Sequence, residues 1–402
     1  MRCLHTSDWH LGRLLYGRRR DHEFDGFLAW LVQTIVREEI DICLVAGDIF
    51  DTGTPSNKAQ AQYYRFLVDV SKTACQHVVI IGGNHDSPSF LDAPAGLLSA
   101  LNVHVVAAAD GPLQREVLSL KDQDGQAMAT ICAVPYLRDR DIRSVTLGES
   151  VEDKSQKLLE GIAEHYRQVA QLARTSHPEN TPLIGMGHLF AAGGITQDGD
   201  GVRDLYVGNL AQIGGGLFAE LFDYTALGHI HRPQIIGGHN TVRYCGAPIA
   251  MGFGETHYRK KVHVVEFKNT TATVRDIEIP SFQRLETIEG DWAEIEQQLE
   301  RCIEDGDSVW AEVVYRAQEA VGDLRQRIGQ IIEGSAVEVL RVRIQRKTAT
   351  QSAMADQVQL AEIDHHDVFA QCMEHHQIDA GQRDSLKALY QEAVAALAES
   401  KL

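Results

Sequence analysis

Short runs of apolar, β-branched residues recur through the first two thirds of the chain, at 40–45, 77–81, 103–106, 129–134, 183–186 and 223–227. Near-continuous apolar strands predict a sheet covered on both faces. Between the first of them the period becomes helical. Phe24, Phe27, Leu28, Leu31, Val32 and Ile35 recur at spacings of three and four. Strand, helix, strand predicts α/β layering. The later runs at 241–245, 261–267 and 271–279 follow closely on one another. They predict an antiparallel meander closing the second half of the sheet system.

Pro280 marks a change of period. Beyond it the pattern predicts a strand at 285–288, a helix at 292–303, a strand at 309–315, a helix at 324–332 and a strand at 337–344. This is a small β-α-β-α-β module within 284–346. A polar stretch, 347–355, then precedes a tail at 356–402 with two helical segments, 367–376 and 383–397. Val368, Phe369 and Met373 lie at helical spacing in the first segment, and Leu386, Leu389, Tyr390, Ala393 and Leu397 in the second. Two short amphipathic helices must lay such stripes on something larger, either their own body or a partner.

The chain has 402 residues, and its charges sum to 38 − 56 = −18. A field this acidic opposes DNA, so a metal, a local basic strip or a partner must overcome it. Arg18, Arg19 and Arg20 form such a strip, and Arg138, Arg140 and Arg143 another; both would serve equally as solvated surface. The seven cysteines include no CxxC pair, which fits buried thiols in a reducing compartment. No apolar run approaches the roughly 18 residues that a membrane span needs. The expectation is a soluble, cytoplasmic protein with no membrane association.

Five motifs carry chemistry, each placed after a predicted strand. They are Asp8-Trp9-His10, Gly47-Asp48, Gly82-Gly83-Asn84-His85-Asp86, Gly187-His188 and Gly228-His229-Ile230-His231. In extended chain, residues i and i+2 point to one side, so Asp8 and His10, like His229 and His231, could meet one ion. The carboxyl ends of strands are where open α/β sheets bind ligands. Singly, each motif also fits a turn or a helix cap. Jointly, Asp8, His10, Asp48, Asn84, His188, His229 and His231 supply nitrogen and oxygen ligands without thiolate. That set suits Mn, Fe, Zn or Mg. Seven ligands exceed the needs of one ion; two ions about 3.5–4 Å apart with a shared carboxylate account for the number.

The motifs D-x-H, G-D, G-N-H-D, G-H and G-H-x-H in this order resemble the calcineurin-like metallophosphoesterase superfamily. Within it, LHTSDWHLG, VAGDIFDTGTPS, GGNHDS, VRDLYVGN, LGHIHRPQIIG and VRYCGAPI resemble the SbcD family of bacterial nuclease subunits. The resemblance covers most of residues 1–346. It implies a four-layer β-sandwich flanked by helices over 1–280, a capping domain at 284–346 and a helical partner-binding tail at 356–402. It implies two divalent ions, Mn²⁺ above all, with Asp8, His10, Asp48 and His231 on one and Asp48, Asn84, His188 and His229 on the other. His85 matches the family's catalytic histidine. Asp51 stands where archaeal and eukaryotic relatives carry a phosphate-contacting histidine.

The implied function is phosphodiester hydrolysis in DNA during repair, replication and recombination. The family is an ATP-dependent double-strand exonuclease and a single-strand and hairpin endonuclease, partnered by SbcC, a coiled-coil ATPase. A homodimer within a heterotetramer is expected, and the helical stripe Tyr63, Phe66, Leu67 and Val70 could carry the self-contact or pack on its own sheet. This chain has no G-x-x-x-x-G-K-[ST] loop of its own, so ATP must be used elsewhere. The alternative is a generic dinuclear-metal phosphoesterase acting on cyclic nucleotides or small phosphoesters.

Overall fold

The apolar runs form strands buried on both faces. In the computed structural model, the described residues are 1–142, 151–192, 194, 213–316 and 323–345. Strands β1 (Arg2–Thr6), β2 (Ile42–Ala46), β3 (His77–Ile81) and β4 (Val103–Val106) lie parallel and adjacent in that order. Side-chain alternation divides each strand between two cores. Leu4, Cys43, Val45, Val78 and Ile80 pack under α1 (Asp21–Arg37) and α2 (Asn57–Val70). Cys3, Ile42, Leu44, Val79 and Ile81 face a second sheet.

The second sheet contains β5 (Val117–Lys121), β6 (Ala127–Ala133), β7 (Leu183–His188), β8 (Tyr224–Gly228), β9 (Gln234–Ile236) and β10 (His239–Tyr244). Its order is β9-β10-β8-β7-β6-β5, with the inner four strands parallel. α3 (Val151–Ser176) and α4 (Gly215–Leu221) cover its outer face, through Ile162, Tyr166, Val169 and Phe218. The layers are helix, sheet, sheet, helix.

The expected meander is a different structure. β10 runs parallel to β8 in the second sheet. β11 (Lys261–Lys268) and β12 (Thr271–Glu278) form a hairpin on the first sheet, where Cys3 pairs with Val265. Residues 245–260 carry the chain across from one sheet to the other, so closeness in sequence did not mean adjacency here. The α2 stripe is also settled. Tyr63, Phe66, Leu67 and Val70 are all buried in the core of their own body, so they offer no free face for self-association.

β13 (Arg284–Gly290), α5 (Trp292–Glu304), β14 (Val309–Tyr315), α6 (Leu324–Ile332) and β15 (Val337–Ile344) follow the predicted β-α-β-α-β order, with a parallel sheet. Ile288, Ile295, Leu299, Val313 and Ile328 give it a core of its own. Its other face meets the body. Arg341 donates to the Tyr16 hydroxyl at 2.9 Å, Arg18 pairs with Glu338, and Trp310 stands edge-on to His22. Residues 1–345 form one compact unit. The expected tail helices and Arg143 lie outside the described residues.

Candidate metal centre

Five parallel strands, β1, β2 and β3 of one sheet and β7 and β8 of the other, end at a common edge. Every one of the candidate ligands lies at or just beyond one of these ends. Asp8 and His10 reach the site through left-handed backbone, at φ of 53° and 48°, rather than through the extended spacing expected for them. Asp48 (50°) and His229 (105°) share this feature. Non-glycine residues adopt such angles at a cost, and they collect at functional sites. Backbone bonds hold the turns: Asp8 donates to the Gly47 carbonyl and His10 to the Asp48 carbonyl, each at 3.0 Å. Two glycines make the convergence possible. A Cβ on Gly83 would strike the Asp48 carboxylate, and one on Gly228 would strike the Ala46 carbonyl of the facing sheet.

Asp8, His10, Asp48, His188, His229 and His231 are all buried. Asp48 Oδ2 lies 3.5 Å from His10 Nε2 and 3.4 Å from His188 Nε2. His10 Nε2 is 3.1 Å from His231 Nε2, and His188 Nε2 is 3.0 Å from Asn84 Oδ1. The rings of His188 and His229 lie 5.4 Å apart. Asp8, His10 and His231 converge, and so do Asp8, Asp48 and His188, with Asn84 and His229 beside His188. His188 Nδ1 is 2.9 Å from the Ala46 carbonyl. A carbonyl only accepts, so Nδ1 carries the hydrogen and Nε2 faces the cluster. The donor set fits a divalent cation. Nitrogen and carboxylate oxygen crowd together without thiolate, and His229 Nε2 is buried with no hydrogen-bond partner.

Burial and close charges shift the groups of the site in opposite directions. Burial works against a charged His188, but Asp48 and Asp8 outweigh it and raise the imidazole to about 9. Burial opposes ionisation of Asp48 too, yet His188 and His10 hold its carboxyl well below the usual range. Burial pushes Asp8 up to about 6. Burial and the neighbouring His188 lower His229 to about 3.

His85 sits beside both groups, with its ring 4.7 Å from that of His10. Its Nδ1 is 2.7 Å from the Asp51 carbonyl, so Nδ1 donates there. The Asp51 carboxylate lies 3.4 Å from His10 Nδ1 and 3.1 Å from Arg13.

One positioning residue escaped the sequence reading. Asp86 accepts from the backbone of Ile49, Phe50 and Gly83 at 2.9–3.1 Å and so ties the second motif to the third. Its G-N-H-D context was a visible signal; its role was not. The basic strip divides. Arg18 and Arg19 keep exposed side chains paired with Glu338 and Asp21. Arg20, expected on the surface facing solvent or DNA, is instead buried, donating two hydrogen bonds to the Glu23 carboxylate and one of 2.6 Å to the Ala250 carbonyl. No side is left for a phosphate. Arg138 is half-buried.

Comparison with known proteins bears on this geometry. The family model described as calcineurin-like phosphoesterase matches residues 1–233, and that described as type 5 capsule protein repressor C-terminal domain matches 281–377. The SbcD component of the nuclease SbcCD from Escherichia coli strain K12 is 37% identical over 99% of both chains. This chain belongs to the SbcD family. Other members are the SbcD proteins of Rhodobacter capsulatus, 36% identical over 70% of this chain and 69% of its own, and Bacillus subtilis, 32% identical over 67% and 66%. The family accounts for the four layers and for a centre that takes divalent metal. No described helix is long and apolar enough to cross a membrane.

Proposed function

We propose that this chain is the nuclease component of an SbcCD-type complex, hydrolysing DNA phosphodiesters at a dinuclear centre. The observation that carries the reading is Asp48, whose Oδ2 stands between two imidazole nitrogens at 3.4 and 3.5 Å. Asp8, His10, Asp48 and His231 would hold one ion, and Asp48, Asn84, His188 and His229 the other, Mn²⁺ being the first choice. Bound there, the ions would supply Lewis-acid charge for the phosphate and an activated water. His85, anchored through Nδ1, presents Nε2 to steady the developing charge or to protonate the leaving oxygen. Asp51 and Arg13 fill the place of a phosphate-contacting histidine, with the carboxylate restraining His10 and the guanidinium left to meet the substrate.

Residues 1–280 are the nuclease domain in this reading, 284–346 the cap over its DNA face, and 356–402 the element that docks an SbcC-type coiled-coil ATPase. The assembly is a homodimer of this chain within a heterotetramer. With that partner the activity is ATP-dependent degradation of duplex ends and opening of hairpins. The test incubates the purified chain with end-labelled hairpin DNA and Mn²⁺, with and without the ATPase, beside a cyclic nucleotide. Hairpin opening is expected, and His85→Ala should keep both ions by mass spectrometry while losing most turnover. Cleavage of the cyclic nucleotide alone would replace the DNA reading with that of a small-molecule phosphoesterase.

A further inference from the structure

A second charged cluster lies behind His231, outside the ligand set. Glu255 ends a short turn, Phe253–Glu255, in the segment that crosses between the sheets. It is only 1% exposed. Its two carboxylate oxygens are in different situations. Oε2 accepts from the Met251 amide at 3.1 Å and from the Lys260 ammonium. Oε1 is buried without a hydrogen-bond partner and lies 3.8 Å from His231 Nδ1. The opposite nitrogen, His231 Nε2, faces His10 at 3.1 Å. Lys260 also donates to the His231 carbonyl at 3.4 Å. Arg20 holds the Ala250 carbonyl next to the amide that Glu255 accepts.

A buried carboxylate with one oxygen fully held and the other unpartnered is costly unless that oxygen has a use. The unpartnered oxygen lies 3.8 Å from Nδ1 of His231, the ring nitrogen opposite the one that faces His10. We infer that Glu255 is a positioning residue for His231: when an ion draws on Nε2, the 3.8 Å gap closes to hydrogen-bond length and Glu255 accepts the Nδ1 hydrogen, which fixes the tautomer with a lone pair on Nε2 and strengthens that nitrogen as a ligand. Lys260 and Arg20 brace the carboxylate in place. Carboxylates in this relation to a liganding imidazole typically contribute 10–100-fold in metal affinity. The inference rests on the dinuclear reading and adds a residue and an asymmetry to it. Glu255 reaches His231 and so acts on one ion, not both.

The test is Mn²⁺ titration of the metal-free full-length chain, following free Mn²⁺ by electron paramagnetic resonance. Wild-type protein should take two ions. Glu255→Gln should weaken one site roughly 10–100-fold and leave the other unchanged. This variant leaves Lys260 buried without a counter-charge, so E255Q/K260M is measured beside it. Neutralising both partners should recover the melting temperature of the metal-free protein but not the lost affinity. In a double-mutant cycle with His231→Asn, the Glu255 effect should vanish, because its target is gone. Two wild-type affinities in E255Q/K260M, or an effect that persists in the His231→Asn background, would overturn the inference. Failure of wild-type protein to bind two ions would instead refute the dinuclear reading beneath it.

Discussion

The strand ends at the metal centre and the small module at 284–345 follow opposite rules. In the module, local preference and global fold agree except at Asp323, which opens α6 with a left-handed φ of 62°. Asp291 caps α5 by accepting from the Glu294 amide at 3.0 Å, and the Glu294 carboxylate accepts in turn from the Asp291 amide at 2.9 Å. Val309, Ala311, Val313 and Tyr315 alternate cleanly into the core. At the centre, local preference is overridden. Asp8, His10, Asp48 and His229 hold left-handed backbone, and polar groups fill a buried volume. Consistency across levels specifies a fold, and departures from it mark where the fold is put to use. The same kind of substitution should therefore have different consequences in the two regions.

The largest difference concerns two aspartates. Asp48→Ala removes the carboxylate shared by both ligand groups. Hydrolysis should fall by more than the roughly 100-fold that an outer partner costs, and bound metal should drop below two ions. Asp291→Ala should instead cost about 1 kcal/mol of stability through the lost cap and leave hydrolysis intact. Cleavage assays, metal content and chemical denaturation on both variants decide this. Wild-type turnover by D48A protein would show that the centre does not work through a shared ligand.

Gly228→Ala comes next. The added methyl would collide with the Ala46 carbonyl and press on His188 Nδ1 at 2.9 Å. Neither neighbour is the end of a flexible side chain. We expect a loss of about 3 kcal/mol, within the range of overpacked interiors, together with impaired metal binding. Thermal unfolding with and without Mn²⁺ measures both. A neutral result would mean that the two sheets can part at this edge.

The third difference is in pH response, and it applies to the metal-free protein. His188 is raised to about 9 in the folded chain, from near 6.5 unfolded. A raised basic group stabilises the fold fully below its unfolded value, and that stability is lost as pH rises through its folded value. Melting temperature should therefore fall between about pH 6.5 and 9 without metal. An ion held by Asp48 and His188 replaces the proton, so Mn²⁺ should flatten this slope. In His188→Asn protein the slope should be reduced even without metal. A pH response identical in the two proteins would count against the pairing.

Much of this contrast was legible in the sequence, because its signals were local. Glycine followed by Asp, Asn or His after an apolar run marks a strand end that turns sharply and presents a polar group. The module's alternation and its helical periods were equally local, and its elements lie within two residues of their expected bounds. What was not legible depends on partners far apart in the chain. Arg20 read as one of three surface arginines until Ala250, 230 residues away, took its guanidinium. The Tyr63 stripe could face its own sheet or another copy, and only packing decides that. β11 and β12 followed β10 closely in sequence and joined the other sheet, because the segment between them crosses the molecule.

The smallest expected effect completes the contrast, since it repeats the Gly→Ala change inside the module. Gly329 lies in the interior of α6. Its φ is not among the positive values, and a Cβ built there meets nothing within 4 Å. Two terms then act in one direction. The unfolded chain loses freedom when glycine is replaced, and alanine is the better helix former. Gly329→Ala should stabilise the module by about 0.5–1 kcal/mol, where Gly228→Ala destabilises the body. Hydrogen exchange of the α6 amides reads the change locally, and Mn²⁺ titration should be unaltered. The two glycines differ in what surrounds them. Gly228 is present because two sheets must approach closely for the ligands to meet, whereas nothing packed around Gly329 requires it. A destabilising Gly329→Ala would mean that the open side of α6 is covered in the working protein, and the module would then have a second docking face to account for.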